Sequence, residues 1–208
     1  MAGLLQSLAK PALIFLILAG NSELVLAQEM KERELRPAFD FNRMQMPVEV
    51  VYVKLNGKEV KPGEKIKGDD DWLEGLSFSL KNIPNRPIAF VDVGLQFPQP
   101  QGFVVYSLNY GVDFSRGEPR REASPPPLQP GESLDLVLTK ERYQVFLNIL
   151  AQAGASSSFD VAPYYLERVC FEDDPDVIWE GGYLKRRDPN HRSKFVIINR
   201  YTLPLKQE

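Results

Sequence analysis

Two runs of carboxylates are the first residues in this chain that could do chemistry: Asp69-Asp70-Asp71, and Glu172-Asp173-Asp174 with Asp176. Hard oxygen ligands suit calcium, which takes six to eight of them, and both runs fall in loops between expected strands. Neither keeps the spacing of a helix-loop-helix calcium loop, where acids alternate around a central glycine and a bidentate glutamate closes the twelfth position. Asp173, Asp174 and Asp176 are therefore expected either as a weak calcium site or as a solvated acidic loop. Paired carboxylates also cut glycosidic bonds, but nothing in the sequence distinguishes two acids from the rest.

Other chemistry is constrained by scarcity. Histidine is the commonest general base near neutral pH, and His191 is the only one. Asp188 and Ser193 flank it, yet three residues of one Pro/Asn turn do not take up the geometry of a hydrolytic triad without distant support. One His and one Cys leave too few nitrogen and sulfur ligands for zinc. Gly-rich phosphate loops and a nucleophile elbow are absent, so the chain is expected to be non-catalytic and to carry no cofactor beyond the calcium alternative.

Binding is the remaining chemistry. Trp72 and Trp179 each follow an acidic stretch, and sugars stack on exposed indole rings; both also suit the packing of a sandwich core. Lys185, Arg186 and Arg187 form the one basic run, either a binding patch or a solvated strand end. Because the acidic loop and this run flank one expected strand, they are equally placed to pair with each other. The formal charge of −3 and the mixing of signs argue against nucleic acid.

The chain's address is read from residues 1–27. Lys10 precedes the apolar run Pro11 to Gly20, and Val25-Leu26-Ala27 offers a cleavage point before Gln28. A signal peptide over 1–27 implies a secreted or periplasmic protein. No later segment approaches the roughly 18 apolar residues of a membrane span. Cys170, the only cysteine, has no intrachain partner and is expected as a small buried apolar group.

These groups must be positioned by strands. Residues 28–46 are charged and aperiodic, with Arg36-Pro37 interrupting any helix, and are expected as a flexible arm. From Pro47 the period becomes two. Val51, Val53 and Leu55 are expected on one face of a strand, with Asn56-Gly57 turning it into a hairpin. Further strands are expected at 76–80, 89–97, 103–112, 134–138, 161–171, 177–186 and 194–200, and Arg116 to Gly131 as an exposed proline-rich loop. Tyr143, Phe146, Leu147 and Leu150 fall at i, i+3, i+4 and i+7, predicting one short helix at about 140–151 capped by Thr139. Hairpin signals without βαβ alternation predict an all-β, antiparallel β-sandwich, a single domain over 47–204.

The stretch Val48 to Phe97, then Pro130 to Leu136 and Tyr165 to Phe171, resembles immunoglobulin-like and fibronectin type III-like β-sandwich modules of secreted bacterial proteins. The strand, Asn/Pro turn and strand of Leu76 to Ile88 carry most of that likeness. It departs from antibody domains in lacking paired core cysteines and in carrying the helix. The resemblance implies a binding or structural role toward a protein or a cell-surface polymer, and transfers no functional residue. The runner-up is a carbohydrate-binding accessory domain or an extracellular glycoside hydrolase using carboxylates and tryptophans. Oligomeric state and partner are left open.

Overall fold

The computed structural model describes residues 30–39, 45–99 and 102–200. The expected signal peptide lies outside the described residues. Among the described residues, twelve strands form two sheets that pack face to face, as the alternating apolar pattern requires, accompanied by one α-helix.

The smaller sheet holds β2 (Val48–Leu55), β3 (Lys58–Val60), β5 (Ser77–Asn82) and β8 (Ser133–Val137) in the order β3-β2-β5-β8. Asn56 and Gly57 close the β2–β3 hairpin with φ of 48° and 76°, the positive values that this dipeptide tolerates. One feature departs from simple alternation. Register slips between Val50 and Tyr52, so Val51 is an extra, bulged residue and stands 49% exposed while Val53 and Leu55 are buried. A bulge moves every residue before it to the other face, which is why Val48 rather than Val51 enters the core.

The larger sheet is organised around β9 (Val161–Phe171). β6 (Ile88–Gln99) runs along one side of it, with β7 (Gly102–Gly111) outside β6. The other side of β9 is shared. Its first half pairs in parallel with β1 (Lys31–Pro37), which β4 (Lys65–Gly68) extends. Its second half pairs with β10 (Val177–Glu180), followed by β11 (Tyr183–Asp188) and β12 (His191–Arg200). The expected strand 177–186 is thus two strands, because Gly181 and Gly182, with φ of 59° and 89°, turn the chain between them.

β1 corrects the reading of residues 28–46 as a flexible arm. Its sequence, KERELRP, hid the strand because one of its two inward side chains is an arginine. Arg33 is 1% exposed and Leu35 2%. The guanidinium donates to Asp70 Oδ1 and Asp160 Oδ1, each at 2.7 Å, to Phe159 O at 2.9 Å and to Gly68 O at 3.3 Å. Buried charge is tolerated here because its donors are matched by acceptors.

Between the sheets, Phe78 of β5 meets Tyr164 of β9 with ring centroids 5.0 Å apart. The helix α1 (Lys140–Gln152) starts at Thr139, whose hydroxyl accepts from Arg142 N, and buries Tyr143, Phe146 and Leu150. Phe146 packs on Phe97 and Tyr106 at 4.8 and 5.1 Å, so the helix closes one end of the sandwich. The proline-rich loop is largely exposed but is pinned where Leu128 and Ile88 exchange two backbone hydrogen bonds of 2.8 and 2.9 Å.

Candidate interaction surface

The acidic loop after β9 and the basic strand β11 meet each other. Asp174 accepts from Arg186 and Asp176 from Arg187, both at 2.9 Å, while Lys185 pairs with Glu180. Asp173 is held by Arg86 at 2.7 Å, and Glu172 by Arg120. Of the two readings of Asp173, Asp174 and Asp176, the calcium site finds no support in this geometry: each carboxylate is turned to a different arginine. Among the described residues no group of three or more His, Cys, Asp or Glu side chains converges as metal ligands would.

The tryptophans do not form a sugar platform. Trp72 is 3% exposed and donates its indole N–H to Phe159 O, and Trp179 is fully buried and donates to Gln45 O. Each ring fills the core and each polar edge finds a carbonyl, the usual arrangement for a buried indole. The fold places Trp179 on β10 opposite Val169 of β9, and both side chains are buried in the core.

His191 stands at the exposed β11–β12 turn, with Nδ1 3.5 Å from Asp188. Asp188 meanwhile accepts from Asn190 N, so the pair stabilises a turn. Ser193 makes no hydrogen bond with either residue among the described contacts.

What these residues build is a braced hairpin. Arg187 is its main fastening, donating to Asp176, to Phe114 O at 2.7 Å and to Arg192 O at 2.5 Å, with its guanidinium 4.8 Å from the Phe195 ring. Phe195 in turn packs on a small cluster of Ala89, Phe90, Cys170 and Ile178 on the outer face of the larger sheet. The turn Phe114–Arg116 leans on the same cluster, and an open cleft of about 1010 Å³ separates it from the hairpin. Arg116, Arg186, Arg187 and Arg192 line that cleft with Asp176 and Asp188.

Beneath the cleft lies a polar layer that sequence periodicity did not mark. Asp113 accepts from Arg168 at 3.1 Å and from Ser115, and Arg168 also reaches Glu180. Asp92, 3% exposed on β6, has one carboxylate oxygen with no hydrogen-bond partner. Burial pushes its pKa up to about 7, with the charge of Glu167 adding to the rise. Cys170 sits against Asp113 at 3.5 Å, and burial raises its thiol to about 12. Asp92 occupies the outward position of an alternating strand, and the groups that surround it, Ser107 of β7, Glu167 and Arg168 of β9 and Asp113 beyond β7, lie outside β6.

The outermost strand is the least protected. Every residue of β12 except Phe195 is exposed, and Val196, Ile197 and Ile198 stand at 48, 60 and 51%. Among the described residues β12 pairs with β11 alone, leaving one row of backbone donors and acceptors open.

Compared with known proteins, the chain matches no family model, no curated protein and no solved structure. Among the described residues no helix is long and apolar enough to cross a membrane.

Proposed function

We propose that this protein is an exported, non-catalytic binding module of the β-sandwich class, and that it engages another protein through the β11–β12 hairpin. The observation that carries this reading is the run of three aliphatic side chains on β12, each about half exposed. Water-facing Val and Ile on an open sheet edge favour both burial and strand pairing, so a free edge of this composition invites a partner. The hairpin is also preorganised. Arg186, Arg187 and Lys185 each hold an acid, which lowers the ordering cost of docking. A rigid sandwich presenting a surface element to a macromolecule agrees with the role implied by the immunoglobulin-like resemblance.

The test is capture from the secreted and envelope fractions of the protein's own host, compared between the wild-type protein and V196T/I197T/I198T. A saturable partner lost in the variant supports the reading. Capture that is indifferent to the variant removes the hairpin as the docking surface.

A further inference from the structure

The free edge of β12 bears charge as well as apolar surface. Arg192 and Lys194 precede the apolar run Phe195–Ile198, and Arg200 follows it. Unlike the three cations of β11, none of these has an acidic partner among the described residues. Three cations thus flank one apolar segment on a strand whose outer backbone groups have no strand partner among the described residues.

That pattern discriminates between occupants. A second copy would add antiparallel about a two-fold axis through the apolar segment of β12. The register of β12 against β11 slips between Leu184 and Lys185 and again between Arg187 and Asp188, so strict alternation does not run from Arg192 to Arg200; any such axis nonetheless brings the cationic ends of one copy onto those of the other. Like charges directly opposed across strands are destabilising, and lysines on edges are a known guard against self-pairing. A strand with acids at those positions gains what a second copy loses.

On the reading that β12 is the docking surface, we propose that its occupant is an extended acidic segment of another protein, added antiparallel to the free edge. Its middle is β-branched or apolar opposite Phe195–Ile198, and its carboxylates face Arg200 at one end and Lys194 and Arg192 at the other. Main-chain hydrogen bonds supply the pairing, and charge sets register and orientation.

The probe is the labelled peptide Glu-Ser-Val-Thr-Val-Thr-Glu-Ser-Glu, titrated against the full protein by fluorescence anisotropy beside a counterpart with lysine at each glutamate. The acidic peptide binds, and the basic one binds about tenfold more weakly or worse, as three cross-strand charge pairs imply. In R192E/K194E/R200E the preference reverses. N-methylation of one alternating set of peptide residues abolishes binding and methylation of the other set leaves it, since only one row of amides faces the strand. Binding of neither peptide, a preference unmoved by the charge reversal, or equal effects of both methylation sets overturns the proposal. So does a dimer seen in sedimentation equilibrium that the β12 substitutions dissolve, because a second copy then holds the edge. Should the peptides fail while capture of a host protein still depends on Val196, Ile197 and Ile198, strand addition falls and the wider reading of this surface stands.

Discussion

The guanidinium of Arg187 lies 4.8 Å from the ring centroid of Phe195, joining β11 to β12 on the face that rests against the sandwich. The same group donates to Asp176 and to Phe114 O, so one side chain fastens the hairpin to both the acidic loop and the turn beneath it. The outer strand otherwise touches the body through Phe195. Arg187 is thus the main fastening of the hairpin, beside the β10–β11 ladder and the Lys185–Glu180 and Arg186–Asp174 pairs.

Replacing Arg187 with alanine is expected to loosen the hairpin without unfolding the sandwich. Lost are a cation–π contact and several charge-assisted hydrogen bonds on a partly exposed group, together worth about 1–3 kcal/mol. In hydrogen exchange, amides of β11 and β12 lose protection while those of β6 and β9 keep theirs. Uniform loss across all four strands contradicts this role.

Arg33→Ala should cost about 2–4 kcal/mol, from the space left by a buried side chain and from two carbonyls deprived of their donor. Asp70 and Asp160 are more than half exposed and regain water, which keeps the penalty below that of a fully buried pair. Arg33→Lys should restore little, since one ammonium cannot span four acceptors. Urea unfolding measures both; a change within about 0.5 kcal/mol for alanine would return residues 31–37 to the status of a loose arm.

Asp92 makes stability depend on pH. Its pKa rises from the ordinary 3.8 to about 7 on folding, so the folded state holds a proton that the unfolded chain releases. Stability contributed below pH 4 is therefore lost progressively as pH climbs to about 7, and the loss is complete above it. Asp92→Asn mimics the protonated form and removes that limb. The variant should match wild type near pH 4 and exceed it at pH 8 by on the order of 2–4 kcal/mol. Parallel pH profiles for the two proteins would be the adverse result.

Cys170 is fully buried, and its thiol is pushed up to about 12 by burial with Asp113 adding to the rise. A thiol reagent at pH 8 should leave the native protein unlabelled and react fully once denaturant is added. Prompt labelling of the native state would show that this edge of the outer cluster opens.

Much of this architecture could be read from residue order. Alternation from Val91 to Phe97, the Asn56-Gly57 turn and the Tyr143-Phe146-Leu147-Leu150 stripe each reported the local geometry that the chain adopts, because in each case local propensity and burial agree, whereas a register slip beside Ala89 sends that residue to the outer cluster with Phe90. β1 escaped detection because its inward residue is Arg33, whose four acceptors come from segments distant in sequence. Val51 was misplaced because a bulge leaves the sequence pattern intact while shifting its phase. The surface was harder still. Phe195 to Ile198 has the composition of a core strand, and only the sheet order, which puts β12 outermost, reveals that its aliphatic residues face water. Trp72 and Trp179 present the converse: ring type allowed stacking on a ligand, and register settled them inside.

If the exposed strand β12 is where this protein meets its partner, quantitative capture of a host envelope or secreted protein separates wild type from V196T/I197T/I198T at matched folding. Saturable binding to wild type is expected, at least about tenfold weaker in the variant, with little change in thermal unfolding because these side chains are already about half exposed. Equal binding by both proteins, or substrate turnover that vanishes on altering a single acid elsewhere, would contradict it.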